Sequence, residues 1–242
     1  MSSATGSRPR PSLPRRIGLS ALVLLALSAS ALGGFLLAGG PRPAEDSVEA
    51  GFARDMQTHH LQALEMALIV REKSKDPVLR AVAYDIATSQ QQQAGQMYGW
   101  LTQWGLSQTS SQPRMAWMAS ADTRGHGSMD GGSMDGSSMD GGSMDGGSMG
   151  VGQQLLPDGR MPGMASAAEL EQLRRASGQQ AEVLFLRLMV AHHRGGIAMA
   201  RAAADTAGRP EVVALAQSIA RAQTAETEQL QQLLAERRQP PA

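Results

Sequence analysis

Apolar residues recur at intervals of three and four along two stretches of the chain, 77–101 and 210–234. This spacing places them on one face of a helix, where they can pack against other helices. The recurring positions are Leu79, Val82, Ile86, Met97 and Leu101 in the first stretch and Val212, Leu215, Ile219, Leu230 and Leu234 in the second. The pattern predicts two amphipathic helices and an all-α fold.

Helix start and stop signals add the remaining elements. A helix is predicted over about 48–74 and another over about 179–207, each followed by a helix that starts at a proline, Pro77 or Pro210. The first proline-led helix is expected to end near residues 104–105. In addition, the sequence Ser-Ala-Ala-Glu at 166–169 is a capping box that predicts a short helix as far as about residue 176.

The helical segments form an internal repeat. Residues 52–101 align without a gap on 185–234 after a shift of 133, with fifteen of fifty positions identical. A repeat of this length indicates one structural unit used twice, here a helical hairpin. We therefore expect hairpins at 45–105 and, with the short helix, at 166–238, packed together as a four-helix bundle.

The N-terminal region carries an export signal. Four arginines within residues 1–16, the predicted cytoplasmic part, precede an uncharged stretch at 17–38. This stretch reaches the ~20 residues that a transmembrane helix needs, and the arginines orient the rest of the chain outside the cytoplasm. A single-pass membrane anchor is therefore predicted. The alternative is a secreted protein, produced by signal cleavage near Ala29-Ser30-Ala31.

A low-complexity insert separates the hairpins, at 106–165. It is rich in Gly, Ser, Met and Asp, with one histidine near the start of its repeats, and it is predicted to be disordered. A methionine recurs every five residues within it. The insert is either a linker or a weak additional arm for Cu(I) or Ag(I), since thioethers bind soft ions. The residues of that arm would be His126, Met129, Met134, Met139, Met144 and Met149.

Charge and composition narrow the function. The formal net charge is zero, which gives no electrostatic basis for binding nucleic acid. The chain has no cysteine, so disulfides and thiolate metal sites are excluded and histidine and methionine remain as the soft ligands. No nucleophile, phosphate loop or nucleotide motif is found, so no enzymatic activity is assigned from the sequence.

Four of the five histidines occur as two adjacent pairs at equivalent positions of the repeat. Each pair has a methionine three residues before it and another six residues after its second histidine, and all of them fall within ~120° of one helix face. The candidate metal ligands are Met56, His59, His60 and Met66 in the first unit and Met189, His192, His193 and Met199 in the second. On the second helices, Gln90, Gln93, Gln223 and Glu226 are predicted to hydrogen-bond to the histidines and fix their tautomers. The alternative for Glu226 is that it binds the metal directly.

These motifs resemble the exported bacterial family called "domain of unknown function 305". The resemblance rests on Phe-x-x-x-Met-x-x-His-His, the later Met-Ala and the proline-led second helix, and it covers roughly 45–104 and 160–236. It implies a ferritin-like bundle with two copies of the motif and, for some members, periplasmic copper binding and copper resistance. The family's Gln-x-x-Glu is present at Gln223 and Glu226, whereas Gln90 and Gln93 depart from it.

The sequence thus predicts an extracytoplasmic protein that binds copper, as Cu(I) or Cu(II), for sequestration, homeostasis or resistance. A second hypothesis is a structural or partner-binding helical bundle at the cell surface without metal, whose buried histidines serve packing or a response to pH. A ferritin-like di-metal oxidase is disfavoured, because neither histidine pair belongs to a Glu-x-x-His motif. The expected partners are a metal ion, the membrane through the N-terminal helix, and either a second copy or an unidentified exported protein.

Overall fold

The helices begin and end where the local signals of the chain place them. The computed structural model describes residues 42–119 and 155–237, which contain five helices of nine or more residues. They are α1 (Val48–Lys73), α2 (Pro77–Trp104), α3 (Ala167–Arg175), α4 (Gly178–Thr206) and α5 (Pro210–Glu236). No strand occurs in these ranges. The predicted all-α fold class is confirmed.

Side-chain caps define several helix ends. Asp76 accepts hydrogen bonds from the backbone N–H groups of Val78 and Leu79 at the start of α2, and Gly105 closes that helix in the left-handed conformation. At α3, Ser166 and Glu169 form the predicted capping box. These bonds satisfy N–H groups that a helix leaves without an internal partner.

The two hairpins, α1–α2 and α4–α5, meet chiefly through α1 and α4, and α3 packs against both of these helices. Two apolar clusters fill the interior. The Phe52 cluster joins the first half of α1 to the second half of α4, and the Phe185 cluster joins the second half of α1 to the first half of α4. The helices α1 and α4 therefore run antiparallel.

The repeat relates the two clusters to each other. Phe52 and Ile219 belong to one cluster, and their repeat equivalents, Phe185 and Ile86, belong to the other. An approximate two-fold axis that relates the two hairpins places equivalent residues in opposite clusters in this way. The axis passes between the clusters, at the level of the histidine pairs.

The predicted disordered insert, 106–165, includes folded residues at both of its ends. Residues 107–119 fold back on α1, where Asp55 accepts hydrogen bonds from the Met115 backbone N–H at 2.8 Å and the Trp117 indole N–H at 2.9 Å. The Trp117 ring packs edge-on against Phe52, with centroids 5.8 Å apart. At the other end, Met161 is fully buried. Burial of these large apolar side chains overrides the polar composition around them.

Several predictions concern residues outside the described ranges. They include the predicted membrane segment at 17–38 and the methionine repeat at 125–150 with His126. Among the helices within 42–119 and 155–237, none is long and apolar enough to cross a membrane.

Candidate metal centre

The two histidine pairs lie together in the middle of the bundle. His59, His60, His192 and His193 are all fully buried. The rings of His59 and His192 are in direct contact, with centroids 3.8 Å apart and planes inclined by 36°. Since these two residues are equivalent in the repeat, their contact lies on the approximate two-fold axis. The predicted approach of the pairs across the bundle is present.

The outer histidine of each pair is held by the second helix of its own hairpin. His60 Nε2 lies 2.8 Å from Gln93 Oε1, and His193 Nε2 lies 2.7 Å from Glu226 Oε2. Because both partner atoms accept hydrogen bonds, the Nε2–H of each ring is the donor in these contacts. Gln93 and Glu226 thus occupy the positions predicted for residues that fix tautomers, although one half-site has an amide and the other a carboxylate.

Gln90 and Gln223 behave differently from this prediction. Both side-chain amides are buried, and neither their oxygen nor their nitrogen has a hydrogen-bond partner within residues 42–119 and 155–237. A Cβ atom placed on Gly196 would lie 2.4 Å from Gln223 Oε1 and 3.2 Å from His59 Cε1. The Gln223 amide therefore lies beside the His59 ring, against a helix position that only glycine leaves open.

The ring nitrogens show the same lack of partners. In the described part of the chain, no hydrogen bond satisfies either nitrogen of His59 or His192, or Nδ1 of His60 or His193. We call the four histidines together with Gln90 and Gln223 the histidine layer. Buried polar atoms without partners are costly, at about 1–3 kcal/mol each. A cluster of them between two apolar clusters indicates a place for a ligand.

Three histidines of the layer, His59, His60 and His192, favour the neutral form. Burial lowers the pKa of His59 to about 3, and the neighbouring His60 adds to this effect. The Pro162 carbonyl opposes the shift, although it makes no hydrogen bond of normal geometry with the ring. Burial also lowers the pKa of His60 to about 4, against the hydrogen bond to Gln93, and holds the pKa of His192 well below its ordinary value. Neutral imidazole is the form that binds metal ions.

The four candidate methionines flank the histidine layer in pairs. Met56 and Met199 belong to the Phe52 cluster, and Met66 and Met189 belong to the Phe185 cluster. All four are fully buried. The antiparallel course of α1 and α4 explains this pairing, because it brings the methionine before one histidine pair beside the methionine after the other. A thioether pair thus lies on either side of the layer.

Carboxylates are scarce at this centre. Within residues 42–119 and 155–237, no three His, Asp or Glu side chains are grouped so that they could hold one metal ion. The available donor atoms are pairs of imidazole nitrogens, thioether sulfurs and amide oxygens. Such a set suits a soft ion that accepts few ligands, as Cu(I) does, better than hard ions that need six or more oxygens. The buried, unpartnered ring nitrogens fit a copper ion on chemical grounds.

Sequence reasoning did not assign a role to the segment directly before α3. Residues 160–165, which we call the strap, cross α4 beside the second histidine pair: a Cβ on Gly195 would lie 1.9 Å from the Pro162 carbonyl oxygen. Met161 of the strap is fully buried in the Phe52 cluster with Met56 and Met199. The available signal was the Pro-Gly turn at 162–163 between two methionines, inside the range predicted to be disordered.

The fold is found in other proteins. A DUF305 protein from Streptomyces coelicolor is 38% identical over 80% of this chain and 96% of its own, with a TM-score of 0.63. A DUF305 fragment from Deinococcus radiodurans is 29% identical over 81% of this chain and 99% of its own, with a TM-score of 0.55. CopM in its Cu(II)-bound form is 24% identical over 78% and 97%, with a TM-score of 0.50, a likeness that shows the fold alone.

No curated protein sequence matches the chain. The family model described as "Domain of unknown function (DUF305)" matches residues 49–234, which include both hairpins and both histidine pairs. The chain therefore belongs to the DUF305 family.

Proposed function

We propose that this protein is an exported copper-binding protein that sequesters copper in the histidine layer. One observation carries the proposal: four fully buried histidines, brought together from two repeats, have ring nitrogens without partners in the described part of the chain. A structural role would be expected to satisfy these atoms with hydrogen bonds. A metal ion would satisfy them by coordination instead.

His59 and His192 are the central residues of the proposed site. Their rings are in contact, and their nitrogens have no hydrogen-bond partner among the described residues. An ion bound by His60 or His193 would be held through Nδ1, because Nε2 is engaged by Gln93 and Glu226. When bound, copper would supply a soft positive charge that compensates the buried lone pairs.

The methionine pairs explain why copper is proposed rather than zinc or iron. Met56 with Met199 and Met66 with Met189 lie in the clusters on either side of the layer. Thioethers select soft ions such as Cu(I) and add little for hard ones. Full enclosure of the histidines also favours retention of an ion over rapid exchange, which is the reason for proposing sequestration.

The comparisons support the choice of ion and the export. CopM, which shares the fold, has structures in Cu(II)-bound and Cu(I)-bound forms. The related Streptomyces coelicolor protein is described as a candidate secreted protein, in line with the arginine-led apolar segment at the N-terminus of this chain. Three points stay predictions. They are the retention of this N-terminal segment as a membrane anchor, the assembly with a second copy, and the binding of an exported partner protein.

The test is Cu(I) and Cu(II) binding by the purified exported region, which is the chain that follows the predicted membrane segment at 17–38. Binding is measured by competition with chromophoric chelators. Replacing His59 and His192 together with alanine should weaken the tightest site by more than about 100-fold, beyond the 10–100-fold typical for residues that only support a ligand. The matched control is His126→Ala, which changes the one histidine outside the two pairs. It should leave the tight site unchanged.

Two results would contradict the proposal. If the double variant binds copper as tightly as the unchanged protein, the tight site lies elsewhere, and deletion of 125–150 would then show whether the methionine arm holds it. If the unchanged protein binds neither copper ion, the bundle is better explained as a structural or partner-binding module. Circular dichroism of each variant separates loss of ligands from loss of the helical fold.

A further inference from the structure

We propose that the strap, residues 160–165, is the gate of the histidine layer: it closes the layer at the two-fold axis and opens to let a soft ion in or out. This inference rests on the proposed function, because it specifies how the same site is reached. All four histidines are fully buried. An ion can therefore reach them only if some part of the structure moves.

On α4, the strap approaches the backbone directly. The Pro162 carbonyl oxygen lies so close to Gly195 that a Cβ there would be 1.9 Å away. A Cβ on Gly163, which has a φ of +81°, would lie 2.4 Å from the Ala191 carbonyl oxygen and 3.1 Å from the His192 Cα. Two glycines thus permit the contact. The strap covers the turn of α4 that bears the second histidine pair.

On α1, the strap is held by one side chain. The Gln62 amide donates to the Ala165 carbonyl at 2.9 Å and accepts from the Ala165 N–H at 2.7 Å. Gln62 is three residues after His59 on the neighbouring turn of α1, so this clamp lies beside the first histidine pair. The strap therefore bridges the two helices that carry the histidines.

The repeat shows that this arrangement is specific to the strap. Gln62 and Gly195 are equivalent positions in the two repeats. A single strap crosses the axis and contacts both positions. Gln62 holds the strap through its side-chain amide, whereas Gly195 leaves room for the Pro162 carbonyl. The contacts of the strap account for the difference between Gln62 and Gly195.

The strap is the part of this enclosure that can open with the fewest losses. The layer is bounded along the bundle by the two apolar clusters, and beside it Gln93 and Glu226 of the second helices hold the outer histidines. Moving any of these elements would separate packed helices. Releasing the strap breaks the two Gln62 bonds and withdraws Met161 from the Phe52 cluster, but it leaves every helix in place, which is typical of a local opening.

The methionines of the strap suit a soft ion. Met164 is partly exposed and packs at the edge of the Phe52 cluster, whereas Met161 is fully buried within it. The two thioethers therefore stand at different depths on one short segment. An ion held first by Met164 and then by Met161 would arrive beside Met56 and Met199 without losing soft ligands on the way.

The test uses Gln62→Leu in the full exported region, with Gln57→Leu as its matched control. Gln57 is also a partly buried glutamine of α1, but its amide donates to the Ala53 carbonyl in its own helix and to Gln108 Oε1, not to the strap. Two rates are measured. One is the reaction of the metal-free histidines with diethylpyrocarbonate, which modifies accessible neutral imidazole. The other is the transfer of bound Ag(I) to a competing chelator.

Gln62→Leu should raise both rates about tenfold over Gln57→Leu, the size expected for loss of two neutral hydrogen bonds that hold the closed state. Gly195→Ala should raise the same two rates, because its Cβ displaces the Pro162 carbonyl. Gly99→Ala is the control for that substitution, since no described atom outside its own helix lies within 4 Å of the added Cβ. If Gly195→Ala does not fold by circular dichroism, Gln62→Leu decides.

The gate is refuted if Gln62→Leu matches Gln57→Leu in both rates. The modification of metal-free protein keeps this result separate from the proposed function. A protein that binds neither copper nor silver but shows faster histidine modification in Gln62→Leu has the gate without the metal site. A protein that binds copper with equal rates in both variants has the metal site without this gate.

Discussion

At the scale of single residues, the histidine layer combines two properties that are rarely found together. The imidazoles of His59 and His60 are neutral because burial lowers the pKa of His59 to about 3 and of His60 to about 4, and both nitrogens of His59 and Nδ1 of His60 have no partner among the described residues. Neutral imidazoles do not need to lose a proton before they bind an ion. The layer can therefore bind a metal ion without losing these protons first, and its unpartnered atoms destabilise the fold when no ion is bound.

This cost predicts a pH dependence of the metal-free protein. An unfolded histidine takes up a proton below about pH 6.5, whereas His60 and His59 remain neutral in the fold down to about 4 and about 3. Their contribution to stability is thus complete above about pH 6.5 and is lost as the pH falls towards about 4. The free energy of unfolding should fall by about 1.4 kcal/mol per pH unit for each such histidine.

Urea unfolding at a series of pH values measures this slope. Burial raises the pKa of Asp55, so that carboxyl acts in the opposite direction and offsets part of the loss at the acidic end. Replacing His59 with glutamine should reduce the slope of the unfolding free energy against pH by about 1.4 kcal/mol per pH unit, which is the contribution of one proton. A free energy of unfolding that stays constant between about pH 6.5 and about pH 4 would contradict the neutral, buried state of these rings.

The outer histidines of the two half-sites have different partners, and this difference predicts unequal affinities. His193 is paired with the Glu226 carboxylate and His60 with the Gln93 amide. A carboxylate on the ring N–H makes the imidazole a stronger ligand. Glu226→Gln should therefore weaken copper binding by about 10–100-fold, measured by chelator competition. Glu228→Gln, an exposed position on the same helix, is the control and should have no effect.

At the scale of secondary-structure elements, the helices could be predicted and the segments between them could not. Pro77, Gly105 and the Ser166–Glu169 box act locally, so the sequence alone reveals them. The strap and residues 107–119 depend on contacts distant in sequence. Asp55 holds Trp117 from 62 positions away, and Gln62 holds Ala165 from 103 positions away. Neither contact leaves a periodic pattern in the chain.

The helix cap at Asp76 gives a prediction at this scale. Asp76 accepts from two N–H groups of α2 and also pairs with Arg237 at the end of α5, whose side chain is buried. Asp76→Ala should lower the free energy of unfolding by about 1–2 kcal/mol, through loss of the cap. Urea unfolding measures it. Glu171→Ala, which removes only the surface pairs with Arg174 and Arg175, should change stability by less than about 0.5 kcal/mol.

At the scale of the whole molecule, the proposed site lies where the two repeats meet. The repeat predicted two hairpins and one bundle, and the family comparison and fold agree with that. What the repeat could not fix was which ends of the helices pair. The antiparallel course of α1 and α4 follows from packing: it places Phe52 near Ile219 and Phe185 near Ile86, so that large apolar residues from different hairpins fill each cluster.

This architecture predicts that the two halves complement each other. Residues 43–119 and 155–237, produced as separate chains, would each expose an apolar face and carry one histidine of the central pair. On mixing, they should form a one-to-one complex with increased helix content, since association buries both clusters. Light scattering after size-exclusion chromatography measures the complex. Tight copper binding should be found only in the mixture, because His59 and His192 come from different halves. Halves that stay apart, or a single half that binds copper as tightly as the whole, would show that the shared centre is not the site.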